Sequence, residues 1–301
     1  MAGQIEQLAE FAAAGKWDDV PASVQHHTRL VLLDTLGVIL AGSERPEVLR
    51  LRERLGTGSG ATIYASGWPS HDPRTAALLN GIAGRSIELC EGLRLVSGQA
   101  AMQVLPGVLA VGQHARSSGR DMLMALLLGY DIAARLAGGF TPRPLAHQNG
   151  QVSLLASAAA GARLRGLDAA GISRAMRIAT TLLLTPSYTN AVAGATALNV
   201  AGGMSGFAAA LAPELALAGF EAEDDAIEQG WASWSAAGSP PMAWWTISAR
   251  PGTSRATTFA STRAAIQFTR RSIVCNRLWP NCDRDPTRSR TSISPPIGLP
   301  P

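Results

Sequence analysis

The side chains able to do chemistry cluster in two stretches of this sequence. The first, Asn80 to Pro106, reads NGIAGRSIELCEGLRLVSGQAAMQVLP, and the second is His147-Gln148-Asn149-Gly150-Gln151. In the first, an apolar helical pattern breaks into a polar, glycine-punctuated segment and then resumes. Helices that bury most of their faces give up periodicity over such a length where they line a pocket, so residues 80–106 are expected to form a pocket wall. Arg85 and Arg94 carry planar guanidinium groups that pair with carboxylates, although so Arg-rich a chain also places arginines on its surface. Cys90 has no His or Lys near it in sequence to activate the thiol and is expected to pack in the wall. Glu91 can move protons or stand as a solvated loop carboxylate. His147 titrates near neutrality and suits acid/base work, or simply ties down its loop by hydrogen bonds. Asn149, Gly150 and Asn199 offer polar lining.

Helices must position these groups. Ile5 to Ala14 reads as a short first helix, and Pro21 opens a longer one that stops at Gly42. Val24, Leu30, Leu33, Leu36 and Leu40 form its expected apolar face, with Asp34 a buried, hydrogen-bonded structural acid and His26 and His27 solvated near its start. Ala61 to Ser66 suits one short strand or an extended link. Asp72-Pro73 opens a helix that runs into the pocket wall, and a helix resumes after Pro106 to end near 117–119. Asp121 is the expected cap of the apolar helix closed by Gly138-Gly139, and Asp168 the cap of another over 169–184. Between these lies an Ala-rich helix, Val152 to Leu164. A polar loop covers 185–197, and a last helix runs to Ala218 with Gly219 as its cap. Helix follows helix with no βαβ alternation, so the first 220 residues are expected to be all-α.

Composition agrees: of 301 residues 47% are hydrophobic but only 5% aromatic, which suits close-packed helices. Cys90, Cys275 and Cys282 make neither a disulfide framework nor a spaced metal pair. No uninterrupted apolar run reaches the roughly 18 residues of a membrane span, and MAGQIEQLAEF lacks the pattern of a signal peptide. A soluble protein of the reducing cytoplasm, with no membrane partner, is expected. The basic balance invites nucleic acid, but it is badly distributed. From Trp231 onward there are nine arginines against two acids, which leaves residues 1–230 with a net charge of −3 within the chain's +4. The arginine spacing follows no recognition motif, and no nucleic-acid partner is expected.

Two regions follow: 1–230, helical, and 231–301, an irregular basic tail. The tail holds five of the seven tryptophans without any period and ends in PPIGLPP. By composition it is expected to be disordered. A sharper reading shifts the frame by one base near codon 230. The codons of residues 255–272 then permit RNYFRLYACCNPIHPALD, a run of ordinary globular composition, so residues 231–301 are expected to be an out-of-frame translation.

The residues reached so far resemble the MmgE/PrpD family, which includes 2-methylcitrate dehydratase, cis-aconitate decarboxylase and iminodisuccinate epimerase. The matching pieces are LLDTLGVILAG (32–42), AALLNGIAG (76–84), VLPGVLAVG (104–112), SGRDMLMALLLGYDIAARL (118–136), ASAAAGARLRGLD (156–168) and LALAGFE (215–221). The shifted tail also looks like the family's later segment. The resemblance implies an all-helical domain whose usual α+β lid domain is missing here. It further implies a homodimer and chemistry without metal or organic cofactor. Relatives take a proton from carbon beside a carboxylate and expel water or carbon dioxide, which requires a base, a proton donor for the leaving group, and cationic or N–H partners for the substrate. The implied activity is therefore a dehydratase-like lyase acting on a small polycarboxylate, or else an inactive, truncated helical fragment. Carried over by position, the family's Asp-Asp-Thr-His run falls on Cys90-Glu91-Gly92-Leu93, its next His on Gln99, its upstream His on Arg85 and its Lys on Leu198. His147 alone keeps the family's residue. Glu91 and His147 remain as acid/base candidates, with Arg85, Cys90, Gln99, Asn149, Gly150 and Asn199 as candidate substrate contacts.

Overall fold

A computed structural model describes residues 2–92, 98–139, 141, 143–147 and 149–234. Leu93 and Arg94 fall outside them, as do residues 235–301 and with them the readings of a disordered or out-of-frame tail. The described residues form eleven α-helices and one two-stranded hairpin. The helices are α1 (Ala2–Ala14), α2 (Ala22–Gly42), α3 (Pro46–Leu55), α4 (Pro73–Arg85), α5 (Ala100–His114) and α6 (Gly119–Gly138). They continue with α7 (Val152–Leu164), α8 (Ala169–Ile178), α9 (Tyr188–Val192), α10 (Asn199–Leu217) and α11 (Ala226–Trp234). The sequence boundary at residue 230 falls inside α11.

Helix α10 is the centre of the bundle and packs against α4, α5, α7 and α8. Small residues make this possible. A Cβ on Gly81 of α4 would lie 2.6 Å from the Cα of Gly203, and one on Gly161 of α7 would lie 1.9 Å from the carbonyl oxygen of Ala209. Backbones approach there at distances that no larger residue permits, and dense packing repays it in dispersion. The stretch 196–217 has a mean hydropathy of 1.3 and is long and apolar enough to cross a membrane, a property that a search for uninterrupted apolar runs passes over. Of its most apolar window, 61% is buried inside the bundle, as a core helix requires.

Several element ends differ from expectation, each for a local reason. The face of α2 that packs inward is Val24, His27, Thr28, Val31, Thr35, Val38, Ile39 and Gly42, whereas Leu33 and Leu40 are exposed and Leu30 and Leu36 only half-buried. A Cβ on Gly42 would stand 1.9 Å from the carbonyl oxygen of Ala83, so α4 comes too close for leucines and the smaller residues take the seam. His27 is accordingly buried, with Nδ1 donating to the Ser23 carbonyl at 2.7 Å, while His26 is exposed. Helix α5 begins at Ala100 and simply contains Pro106, whose missing N–H costs one hydrogen bond without ending the helix. Ser118, not Asp121, caps α6: its Oγ accepts from the Asp121 N–H at 3.2 Å. Asp168 caps α8 as expected, by accepting from the Gly171 N–H at 2.9 Å. A 3-10 turn, Ala179–Leu182, follows α8, and the polar loop after it holds the short α9.

The pocket wall is also shorter than 80–106. Asn80 is fully buried and clamps the hairpin of β1 (Ala61–Thr62) and β2 (Ser70–His71). Its Nδ2 donates to the Thr62 carbonyl at 3.0 Å and its Oδ1 accepts from the Tyr64 N–H at 2.9 Å. Helix α4 runs to Arg85 and α5 starts at Ala100, so both ends of the stretch 80–106 are helical.

Candidate active site

The N-terminal ends of α5, α7 and α10 meet the C-terminal end of α4 on one side of the bundle. Gly150, just ahead of α7, donates its N–H to Gln103 Oε1 of α5 at 2.8 Å. A Cβ on Gly150 would lie 3.3 Å from the Ala201 carbonyl oxygen in α10, and one on Gly202 would lie 3.3 Å from the Arg85 Cβ. Gly150 has φ +78, a left-handed conformation that glycine adopts freely. Helix N-termini present N–H groups and positive potential, so their convergence suits an anionic ligand.

Arg85 ends α4 and is 3% exposed. One Nη donates to the exposed Glu88 carboxylate, but the buried Nε–H has no partner. Cys90 lies alongside, its Sγ donating to the Gly84 carbonyl at 3.4 Å. Burial and the neighbouring Glu91 push this thiol up to about 12, so it serves as lining and not as a nucleophile.

Glu91 has turned inward. One carboxylate oxygen accepts from the Ala101 N–H at 2.6 Å and the other from the Met102 N–H at 3.3 Å, so the side chain anchors the first turn of α5. Two effects compete at this carboxyl. Desolvation disfavours its charge, and the helix N–H groups favour it; burial wins, aided by the charge of Asp34, and the pKa rises to about 8. Asp34 itself is half-buried, with carboxylate oxygens shielded from water. Tyr130 is buried nearby, and the Glu91 charge adds to the burial that raises its phenol.

His147 sits in a segment pinned to the chain ahead of α9. Its N–H donates to the Pro186 carbonyl at 2.8 Å, and its ring stacks on Tyr188 with centroids 5.7 Å apart. The Asn149 backbone N–H donates to His147 Nδ1 at 3.1 Å. A nitrogen that accepts carries no proton, so the neutral ring holds its proton on Nε2. Burial, then the nearby Arg85 cation, lowers the pKa of His147 and keeps the ring neutral near pH 7; Glu88 opposes this weakly.

An amide network backs the site. Asn149 Nδ2 donates to Gln99 Oε1 at 3.2 Å, and Gln103 Nε2 donates to Asn149 Oδ1 at 3.3 Å and to the Gln99 carbonyl at 3.2 Å. Asn199, the first residue of α10, is buried two positions from Ala201, and the preceding Leu198 is a buried apolar side chain. The structure thus gathers Arg85, Cys90, Gln99, His147, Asn149, Gly150 and Asn199, and places Glu91 beneath them as the anchor of α5. Gln103, Glu88 and Tyr188 were not anticipated. The one available signal was Gln103, a lone polar residue in the apolar run AAMQVLPGVLAV. Among the described residues no group of three or more His, Cys, Asp or Glu is arranged to hold a metal ion.

Comparison with known proteins agrees with this architecture. Over 188 residues the chain is 26% identical to the cis-aconitate decarboxylase-like protein oryM of Aspergillus oryzae. The aligned stretch is 58% of this chain and 39% of that protein, so the chain spans well under half of its relative's length. Residues 6–242 match the MmgE/PrpD N-terminal domain, which contains every element from α2 to α11 and all of the gathered side chains. The chain belongs to the MmgE/PrpD family.

Proposed function

We propose that this chain is a lyase domain that releases carbon dioxide from a small polycarboxylate. Arg85 holds a substrate carboxylate through its free Nε–H, with the ends of α5, α7 and α10 supplying positive potential. As the bond to the departing carboxylate breaks, its electron pair passes into the neighbouring unsaturated carboxylate. His147 Nε2–H stabilises the charge developing there, as a neutral imidazole can, and solvent then protonates the carbanion. The observation that carries this reading is the hydrogen bond that sets the tautomer of His147: its Nδ1 accepts from the Asn149 N–H, which leaves Nε2 a donor and not a base. The decarboxylase-like name of the relative supports the same choice.

Dehydration, the sequence expectation, needs a base for a carbon-bound proton. Ionised Glu91 can supply one only above about pH 8 and only by releasing α5. The purified full chain should therefore release carbon dioxide from cis-aconitate, with His147→Ala lowering the rate by about a hundredfold. Water loss from 2-methylcitrate that rises through pH 8 would reassign the site as a hydro-lyase. Tight binding of these acids with no turnover would make it an inactive binding domain.

A further inference from the structure

We infer that Gln103 is a positioning residue which, through Asn149 and Gly150, sets the tautomer of His147. Gln103 is 1% exposed on the inner face of α5 and uses both ends of its amide. Its Oε1 accepts from the Gly150 N–H at 2.8 Å and from Ser205 Oγ of α10 at 3.1 Å. Its Nε2 donates to Asn149 Oδ1 at 3.3 Å and to the Gln99 carbonyl at 3.2 Å. Its main-chain carbonyl accepts from Ser157 Oγ of α7 at 3.0 Å. One residue thus fastens three helices to both residues of the Asn149–Gly150 turn.

The direction of the Asn149 N–H depends on that turn. Gly150 has φ +78, a conformation held by its neighbours and not by local preference, and Gln103 Oε1 takes the N–H that would otherwise be buried without a partner. With the turn fixed, the Asn149 N–H points at His147 Nδ1 and forces the proton onto Nε2. Without it, neutral His147 is free to populate the Nδ1–H tautomer beside Nε2–H. The family resemblance assigns no role to this position. Its consequence for turnover rests on the reading that His147 Nε2 faces the substrate; its consequence for the tautomer does not.

The test separates these two claims. The full chain is labelled with 15N-histidine, and the ring-nitrogen signals of His147 are assigned by their loss in His147→Gln, since the chain holds only five histidines. In the wild type at pH 7.5, His147 should show one bare nitrogen, Nδ1, and one protonated nitrogen, Nε2. In Gln103→Leu the two signals should move toward each other, as in a mixture of tautomers. Ser205→Ala serves as the control, because it removes a hydrogen bond from the same Oε1 and leaves the bond from the Gly150 N–H, and it should leave the His147 signals in place. If Gln103→Leu does not fold, Gln103→Met carries the test: it keeps the length of the side chain and lacks the acceptor for the Gly150 N–H. A wild-type His147 pattern in the folded Gln103 variant, or Nδ1–H in the wild type, overturns the inference. A shifted tautomer accompanied by a fall in kcat of about tenfold supports both claims. A shifted tautomer with unchanged turnover keeps the role of Gln103 and overturns the reading that His147 faces the substrate.

Discussion

Two buried arginines, Arg177 on α8 and Arg85 at the end of α4, differ in how fully the protein engages them. Arg177 on α8 is 5% exposed and donates from all three nitrogens: Nε to the Asp224 carbonyl at 2.7 Å, one Nη to Ser173 and the other to Glu6 of α1. It ties α1, α8 and the segment ahead of α11 together. A cleft of about 510 Å³ opens over it, lined also by Glu10, Arg174 and Glu221, and each guanidinium nitrogen of Arg177 already has a protein partner. Arg85 is equally buried and leaves its Nε–H without a partner. Its one carboxylate partner, Glu88, is 61% exposed and free to swing away, while the truly buried acid of the region, Glu91, is engaged with a helix end. Proteins seldom leave a buried charged donor idle, because the desolvation of that donor goes uncompensated. The first arrangement gives every guanidinium nitrogen a protein partner, and the second leaves one nitrogen for the anion proposed above.

The largest expected effect comes from the acid that Arg85 does not neutralise. Glu91 has a folded pKa of about 8 against an ordinary 4.5. Between these values the folded chain holds a proton that the unfolded chain has released. Stability from this group is therefore fully present below pH 4.5 and is lost as pH rises through 8, by an amount on the order of 5 kcal/mol. Denaturant midpoints should fall between pH 5 and pH 9, and Glu91→Gln should flatten that slope. A stability that rises over this range in the wild type and not in the variant would mean that Glu91 is ionised in the fold, and the contrast with the Arg177 region would weaken.

The arginines themselves come next. Arg177→Met should cost about 2–3 kcal/mol of stability, because it strands Glu6 and the Asp224 carbonyl, and should leave the affinity for cis-aconitate within about twofold. Arg85→Met should do the reverse, weakening affinity by about thirtyfold with a stability change under about 1 kcal/mol. Paired chemical denaturation and titration calorimetry on both variants would decide it. Equal stability losses with no change in binding would make Arg85 a second structural arginine.

How much of this contrast was visible beforehand depended on how local its causes are. The ends of α7 were legible because an Ala-rich run stands between Gly150 and Gly166, and the cap Asp168 because N-capping needs only three residues. The inward face of α2 was not: five leucines outweigh valines and threonines on any hydrophobic scale, and only the close approach of α4 at Gly42 reverses the choice. Pro106 hid the first turn of α5 for a similar reason, since a proline removes one hydrogen bond and the rest of the helix was already supported by packing. In the site, Arg85 and His147 stood out by residue type. That Glu91 would anchor a helix, and that Gln103 would hold the loop of His147, depended on partners about 10 to 100 positions away that no periodicity reports.

The smallest effect would sharpen the contrast most finely. His147 has a lowered pKa, caused first by burial and then by Arg85. The sign is opposite to that of Glu91. Below pH 6.5 the unfolded chain protonates its histidine before the folded chain does, so the contribution of His147 is fully present above pH 6.5 and is lost as pH falls through its folded pKa. The steeper Glu91 slope would mask it in the wild type. Measured in a Glu91→Gln background, stability should fall slightly from pH 7 to pH 5.5, and adding His147→Gln should remove the fall. Adding Arg85→Met instead should reduce it, because the cation that helps to depress the imidazole is gone. If Arg85→Met leaves the fall untouched, Arg85 and His147 do not share a field. They would then be separate features of the rim, and no single anion would engage both.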